Sequence, residues 1–166
     1  MLGMPWEERK ATISEIPTRL EDWILMLLFA GGRRQRYNEP IAGKTRLMKE
    51  LFLFLMRFKD VKGFYSFRPY KYGPYSDGAW NDFSDLIRKG LIQITSGFGS
   101  EVYSLTPEGF ERARMAYDSL EPRLRQGLVD IKIQYNMMPI HDLITHVYEH
   151  YPSFAKESEY EGPPVE

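Results

Sequence analysis

Three short patterns in the chain have residue types that could do chemistry, and the first is Gly43-Lys44-Thr45. A glycine followed by lysine and a hydroxyl residue ends the loop that cradles nucleotide phosphates with its backbone amides. That loop requires another glycine five residues earlier, where this chain has Asn38. Pro40 also removes a backbone N–H donor from the same stretch. The sequence therefore argues against a nucleotide site.

The second pattern, His146-Val147-Tyr148-Glu149-His150, has the order of the inverted zinc-protease motif H-x-x-E-H. Two histidines four residues apart share a helix face, so zinc is geometrically allowed. The apolar residues of this segment fall on the opposite side, and a solvated polar face is a sufficient explanation for both histidines. No motif for a third ligand accompanies them, and the chain has no cysteine. We therefore expect no metal, no cofactor and no catalytic residue.

The third pattern is a concentration of positive charge between residues 31 and 75. This segment has eleven Lys or Arg against three acidic residues, although the whole chain has a formal net charge of −1. Local charge decides attraction to a polyanion, because surface charges farther apart than about 10 Å are largely screened. Aromatic residues alternate with these cations, a mixture that can touch phosphates and stack on bases. For most of the aromatics, a place in the core is the simpler interpretation.

Apolar spacing, with glycine and proline punctuation, indicates a mainly α-helical chain with a small β-hairpin. Gly31-Gly32 is expected to end the first helix in the left-handed conformation, and Gly90 to close the third. The order helix, helix, helix, hairpin is typical of a winged helix-turn-helix, whose third helix enters the major groove. The predicted helices cover residues 20–30, 44–58 and 75–89, and the predicted strands cover 91–95 and 101–105.

The second predicted helix has its polar residues in its first two turns, while its later turns are almost wholly apolar. These polar residues are Arg46, Lys49 and Glu50. We therefore expect only the N-terminal end of this helix to face water or DNA, where the positive pole of the helix adds to the cationic side chains.

A helix start marks the C-terminal part of the chain. Thr106 is suited to cap, Pro107 to the first helical position, and Glu108 adds an acid to the first turn. An apolar stripe follows, which Pro122 kinks or divides, and a last helix is predicted over residues 140–151. The stripe can pack on its own domain or on a second copy, which would suit a protein that reads two half-sites. Its members are Phe110, Ala113, Tyr117, Leu120, Leu124, Leu128, Ile131 and Tyr135.

Six segments keep a set order along the chain: Ala30-Gly31-Gly32, Gly43 to Leu53, Tyr72-Gly73-Pro74-Tyr75-Ser76, Lys89-Gly90-Leu91-Ile92, Tyr103-Ser104-Leu105-Thr106 and Tyr148-Glu149-His150-Tyr151-Pro152. In this order and spacing they resemble the YwgA-like family of small archaeal and bacterial proteins, over roughly residues 20–158. The resemblance implies a winged-helix fold, with a more distant similarity to the Panacea domain of SocA-like antitoxins. It transfers no catalytic residue.

The sequence therefore predicts a non-enzymatic DNA-binding protein, a transcriptional regulator that contacts duplex DNA through residues 31–75 and the third helix, 75–89. One objection is that this helix exposes Asp77, Asp82 and Asp85, because acids facing phosphates are repulsive. The alternative is a winged-helix module that binds a protein partner such as a toxin. The expected DNA contacts are Arg33, Arg34, Arg36, Lys44, Arg46, Lys49, Arg68, Lys71 and Arg88, with Asn81 as the reader of adenine edges.

Length and composition predict one compact unit with appended helices. Of the 166 residues, 43% are apolar, and the lack of cysteine permits a reducing interior. The N-terminus shows no apolar core of a signal peptide, and no apolar run is long enough to span a bilayer. We expect a cytoplasmic protein with no membrane partner, organised as an N-terminal extension (1–19), a winged domain (20–106), C-terminal helices (107–151) and a tail (152–166).

Overall fold

The computed structural model describes residues 19–97 and 99–159, which form six α-helices and a small amount of antiparallel sheet. Of the expected N-terminal extension (1–19), only residue 19 is among these residues. Of the expected tail (152–166), only residues 152–159 are among them. The mainly helical class with a small hairpin is confirmed at this coarse level. The helices are α1 (Asp22–Phe29), α2 (Lys44–Arg57), α3 (Asp77–Arg88), α4 (Pro107–Asp118), α5 (Pro122–Tyr135) and α6 (Ile140–His150), followed by a 3-10 turn at Pro152–Ala155.

Two antiparallel ladders accompany these helices. The larger has the strand order β1 (Ile41–Ala42), β5 (Ser100–Leu105), β4 (Ile92–Gly97), so the strand before α2 joins the predicted hairpin. The smaller pairs β2 (Arg68–Tyr70) with β3 (Gly73–Tyr75). Strands of two or three residues are too short to show an alternating pattern, which is why β1, β2 and β3 were not predicted.

The C-terminal helices pack on the N-terminal ones. Helix α4 lies against α1, and α5 lies against α2. Pro122 divides the predicted stripe into these two helices, and the Thr106 hydroxyl caps α4 by accepting a hydrogen bond from the Gly109 N–H at 3.0 Å. Most of the stripe is buried against the rest of the same chain. Its buried members are Ala113, Leu120, Leu124, Leu128, Ile131 and Tyr135.

The glycines after α1 have a different role from the predicted one. Neither Gly31 nor Gly32 has a positive φ, and α1 ends in an extended Ala30. A Cβ on Gly31 would lie 2.0 Å from the carbonyl oxygen of Arg36, and one on Gly32 would lie 2.5 Å from the Glu39 carboxylate. Close approach of the following loop therefore explains this pair, and the left-handed prediction is wrong. Gly90, which has φ +77°, does close α3 as predicted.

A buried ammonium joins the end of α1 to α5. Lys132 Nζ donates to the backbone carbonyls of Glu39 at 2.7 Å, Ala30 at 2.8 Å and Leu28 at 3.3 Å. Because α1 ends without a capping side chain, this ammonium satisfies carbonyls that would otherwise be buried without a donor. Burial lowers the pKa of Lys132 to about 8, opposed by the carboxyl of Glu50.

Two buried carboxyl groups surround this ammonium. Glu39 accepts hydrogen bonds from the Asn136 amide at 2.6 Å and from the backbone N–H of Arg34 at 2.7 Å. Glu50, on α2, has both carboxyl oxygens buried without a hydrogen-bond partner. Burial raises the pKa of Glu50 to about 8, opposed by the charges of Lys132 and Arg46. Burial therefore favours the neutral form of the Glu50 carboxyl, while the two neighbouring cations favour its ionised form.

Candidate binding surface

The first turns of α2 point their cations in different directions, although the sequence predicts that these cations share one exposed surface. Lys44 and Arg46 lie two positions apart, and therefore about 200° apart around the helix axis. Arg46 is buried and donates to the Tyr135 carbonyl at 2.8 Å, while Lys49 is buried and donates to the Tyr72 carbonyl. The prediction that Arg46 and Lys49 face DNA is wrong, because α5 covers one side of α2 while β3 and α6 cover the other.

The arginines of the loop after α1 lie next to α5. Arg33 is exposed, and its Nε donates to the Ile133 carbonyl at 2.8 Å. Arg34 lies 3.9 Å from the buried Glu39 carboxylate, and Arg36 lies over the ring of Tyr37. These three cations contact residues of their own loop and of α5, and they share none of the contacts that Lys44 makes.

The cations nearest to α3 are paired with the carboxylates of that helix. Arg68 donates to both carboxylate oxygens of Asp77, at 2.9 and 3.2 Å. This pair holds the pKa of Asp77 below its usual range and raises that of Arg68. Arg88, one turn along the helix from Asp85, forms a salt bridge with it. Two of the predicted phosphate contacts are therefore neutralised by acids on the predicted recognition helix.

Between the start of α2 and the β2–β3 hairpin lies a cleft of about 250 Å³. The rings of Tyr70 and Tyr75 stand 4.8 Å apart on its hairpin side. Lys44 lies over the Tyr75 ring at 4.9 Å and over the Trp80 ring at 4.3 Å, within cation–π range. We call this the cation–aromatic cleft; its lining is Lys44, Thr45, Met48, Lys49, Tyr70, Lys71, Tyr72, Gly73, Pro74 and Tyr75.

Within the part of the chain that the structure describes, the lining of the cation–aromatic cleft has three lysines and no acid. Lys49 is 1% exposed and lies against the hairpin backbone, whereas Lys44 and Lys71 are exposed at the rim. Partial burial of the Lys44 ammonium lowers its pKa, and the charge of Asp77 opposes this shift. The cleft is therefore electropositive and partly aromatic, a combination that attracts an anionic group.

A second, more open cleft lies on the other side of the Arg68–Asp77 pair, and its volume is about 450 Å³. Its lining includes Asn81, which is exposed on α3, together with Asp77 and Asp82. The Tyr65 hydroxyl lies 2.7 Å from the Asp82 carboxylate, and burial together with this hydrogen bond raises the pKa of Tyr65. The predicted reader of adenine therefore stands among carboxylates, in a setting that repels phosphates.

The two histidines of the H-x-x-E-H pattern are held by local contacts. His146 Nε2 lies 3.0 Å from the Tyr135 hydroxyl, and His150 Nδ1 lies 2.8 Å from the His146 carbonyl oxygen, which requires a proton on that nitrogen. The two rings stack at 4.1 Å. Burial lowers the pKa of His146. Across residues 19–97 and 99–159, no cluster of three His, Cys, Asp or Glu side chains is arranged to hold a metal ion.

Comparison of the chain with protein-family models, with curated proteins and with solved structures finds no match. The resemblance to the YwgA-like family therefore stays a prediction. Within the described part of the chain, no helix has the length and apolar character needed to cross a membrane.

Proposed function

We propose that this protein is a non-enzymatic winged-helix module that binds a protein partner in the cytoplasm, in the manner of an antitoxin that holds a toxin. The order of elements supports the winged-helix assignment: α1, β1, α2 and α3 precede the β4–β5 hairpin, and β1 pairs with β5. A chain without cysteine is compatible with the reducing cytoplasm.

The observation that carries the choice of partner is the pairing of Arg68 with Asp77 and of Arg88 with Asp85. A protein that binds duplex DNA gains most of its affinity from several cations that each displace counterions from phosphates. Here the predicted recognition helix presents carboxylates, its neighbouring arginines are already paired, and the β4–β5 hairpin has no Lys or Arg. Asp82 on the same helix accepts a hydrogen bond from the uncharged Tyr65 hydroxyl, so its charge can attract a basic side chain of a protein partner but repels a phosphate.

Aromatic side chains at the same face also favour a protein partner. Tyr70, Tyr75 and Trp80 are half-buried around Lys44, and Phe64 is 41% exposed. Protein interfaces are enriched in Tyr, Trp and Phe, because a rigid aromatic ring buries a large area with little loss of side-chain entropy. This face therefore has the composition of an interface.

DNA binding remains a second candidate, favoured by cations that form no salt bridge with any described residue. Lys44 and Lys71 are exposed near the hairpin, and Arg33 and Arg36 are exposed in the loop after α1. Such a protein would contact the sugar–phosphate backbone of the DNA, without a recognition helix that reads bases.

Titration of the purified protein with a labelled random-sequence duplex at low and at high salt separates the two functions. If the partner is a protein, the duplex should bind weakly at low salt and not at moderate salt. Lys44→Gln and its matched control Lys62→Gln should then bind the duplex equally weakly. Affinity capture with the wild-type protein should identify a partner. When the complex is reconstituted from purified components, Trp80→Ala should bind that partner more weakly than wild type does. Tight duplex binding whose salt slope falls by about one for Lys44→Gln would favour DNA instead.

A further inference from the structure

We propose that the cation–aromatic cleft receives an acidic segment of the partner, with a carboxylate side chain inserted between Lys44 and Lys71. This inference rests on the proposed function, since it takes the partner to be a protein, and it goes further by naming the chemistry that the partner must present.

Charge complementarity is the first argument. Among residues 19–97 and 99–159, ten line the cleft, of which three are lysines and none is acidic. In the described part of the chain, neither Lys44 nor Lys71 forms a salt bridge, although Arg68 beside them is fully paired with Asp77. The cleft therefore keeps its positive charge while the adjoining face of α3 is acidic. A partner that matches both surfaces would place an acidic segment in the cleft and basic residues next to α3.

The construction of the cleft is the second argument. Lys49, which is almost wholly buried, brings a charged side chain to the lining, where it is held by the Tyr72 carbonyl. Gly73 permits this, because a Cβ there would stand 3.0 Å from Lys49 Nζ, and its φ is +117°. A buried cation beside a small opening strengthens attraction for an anion, since the surrounding dielectric is lower than that of water.

The size of the cleft limits what can enter it. Its volume of about 250 Å³ is below the range of about 300–1,000 Å³ that is usual for cofactor and drug-sized ligands. One or two side chains fit better than a cofactor. The tyrosine rings can cover the aliphatic part of an inserted Glu or Asp, and the lysines can contact its carboxylate.

A duplex is a poorer match for the same cleft. Its phosphates follow one another along the helix axis at about one charge per 1.7 Å, so a phosphate beside Lys44 brings others toward α3. There they would meet Asp82, whose carboxylate accepts a hydrogen bond from the uncharged Tyr65 hydroxyl and so keeps its negative charge. A peptide can insert one carboxylate and turn its other side chains away.

The test uses a fluorescein-labelled oligoglutamate peptide as the probe, with oligoglutamine as the uncharged comparison and fluorescence anisotropy as the readout. The protein variants are a double change in the cleft, Lys44→Gln with Lys71→Gln, and a double change of the same charge outside it, Lys59→Gln with Lys62→Gln, both exposed positions. We expect salt-sensitive binding of oligoglutamate, weakened about tenfold by the cleft pair and unchanged by the control pair. Lys71→Glu should weaken it further than Lys71→Gln, because it adds repulsion.

The inference would be overturned by a lack of oligoglutamate binding at low salt, by equal weakening in both double variants, or by a duplex that binds more tightly than oligoglutamate and no longer binds the cleft double variant. Concentration-dependent self-association lost with the cleft pair would also overturn it, assigning the cleft to a second copy. If the captured partner still binds the cleft pair as tightly as wild type, the protein-binding module stands and the cleft assignment fails.

Discussion

The guanidinium of Arg68 forms two hydrogen bonds with the carboxylate of Asp77, and so the β2–β3 hairpin is tied to the first turn of α3. Both side chains are about half exposed or more, so the pair adds little to stability but strongly shapes the local potential. It removes one positive charge from the side of the cation–aromatic cleft and one negative charge from α3.

Asp77→Asn should therefore release the charge of Arg68 to the cleft. We expect oligoglutamate to bind this variant a few-fold more tightly, with a steeper dependence on salt, while the free energy of unfolding stays nearly unchanged because the pair is exposed to solvent. Fluorescence anisotropy and urea denaturation measure the two quantities. Asp130→Asn, on exposed α5 surface, removes the same charge elsewhere and should leave the affinity nearly unchanged. Equal strengthening by both variants would mean that only net charge matters.

Glu50 should give the stability of the protein an unusual dependence on pH. Its pKa is about 8 in the folded protein and about 4.5 in the unfolded chain, so the folded state holds the extra proton between these values. The free energy of unfolding should then fall as pH rises through that window, by up to about 1.4 kcal/mol per pH unit. Glu50→Gln should remove this fall, whereas Glu149→Gln, on an exposed helix face, should not. Denaturation curves at several pH values decide the matter; a wild-type to Glu50→Gln difference that stays constant with pH would contradict this account.

Lys132→Met should destabilise the fold strongly, because it leaves the carbonyls of Leu28, Ala30 and Glu39 without their shared donor. We expect a loss of about 3 kcal/mol in chemical denaturation, against less than about 0.5 kcal/mol for Lys156→Met at an exposed position. Since the pKa of Lys132 falls from 10.5 to about 8 on folding, wild-type stability should also rise between these pH values, and the variant should lose that rise. A loss as small as that of Lys156→Met would show that the ammonium is dispensable.

Two first-turn glycines should respond to alanine in opposite ways. A Cβ on Gly109 in α4 would lie 1.8 Å from the Leu91 carbonyl oxygen, so Gly109→Ala should cost about 1–3 kcal/mol as the helix is forced away. A Cβ on Gly78 in α3 would have no neighbour closer than 3.8 Å, and Gly78→Ala should stabilise by about 0.5–1 kcal/mol through reduced backbone entropy. Thermal melting of both variants checks the signs, and a shift in the same direction for both would contradict them.

The helices and the hairpin could be predicted because their signals are local. Apolar spacing marks α2 and α3, Gly90 marks the end of α3, and Thr106 with Pro107 marks the start of α4. Each signal acts within a few residues, where propensity and capping decide the backbone.

The candidate surface could be predicted only in part, because it depends on pairs far apart in the sequence. Lys44 and Lys71 are exposed near one cleft as their types suggest, but Arg46 reaches a carbonyl on α5 and Arg68 meets an acid on α3. Arg and Lys are mostly exposed in proteins, and local sequence does not distinguish the few that are buried or paired. The alternation of Tyr70 and Tyr72 before Gly73 is a signal for the β2–β3 hairpin. The interpretation of these aromatic residues as core residues does not predict this hairpin.

The ammonium at the end of α1 also constrains how the molecule is made. Residue 29 is synthesised long before residue 132. The carbonyls at the end of α1 therefore lack the Lys132 donor until roughly a hundred further residues have been translated. A fragment that stops after the β4–β5 hairpin would lack this donor and would leave the apolar faces of α1 and α2 uncovered. Excising the N-terminal part as an independent domain would therefore yield a chain prone to aggregate, and genetic fusions belong outside residues 20–151.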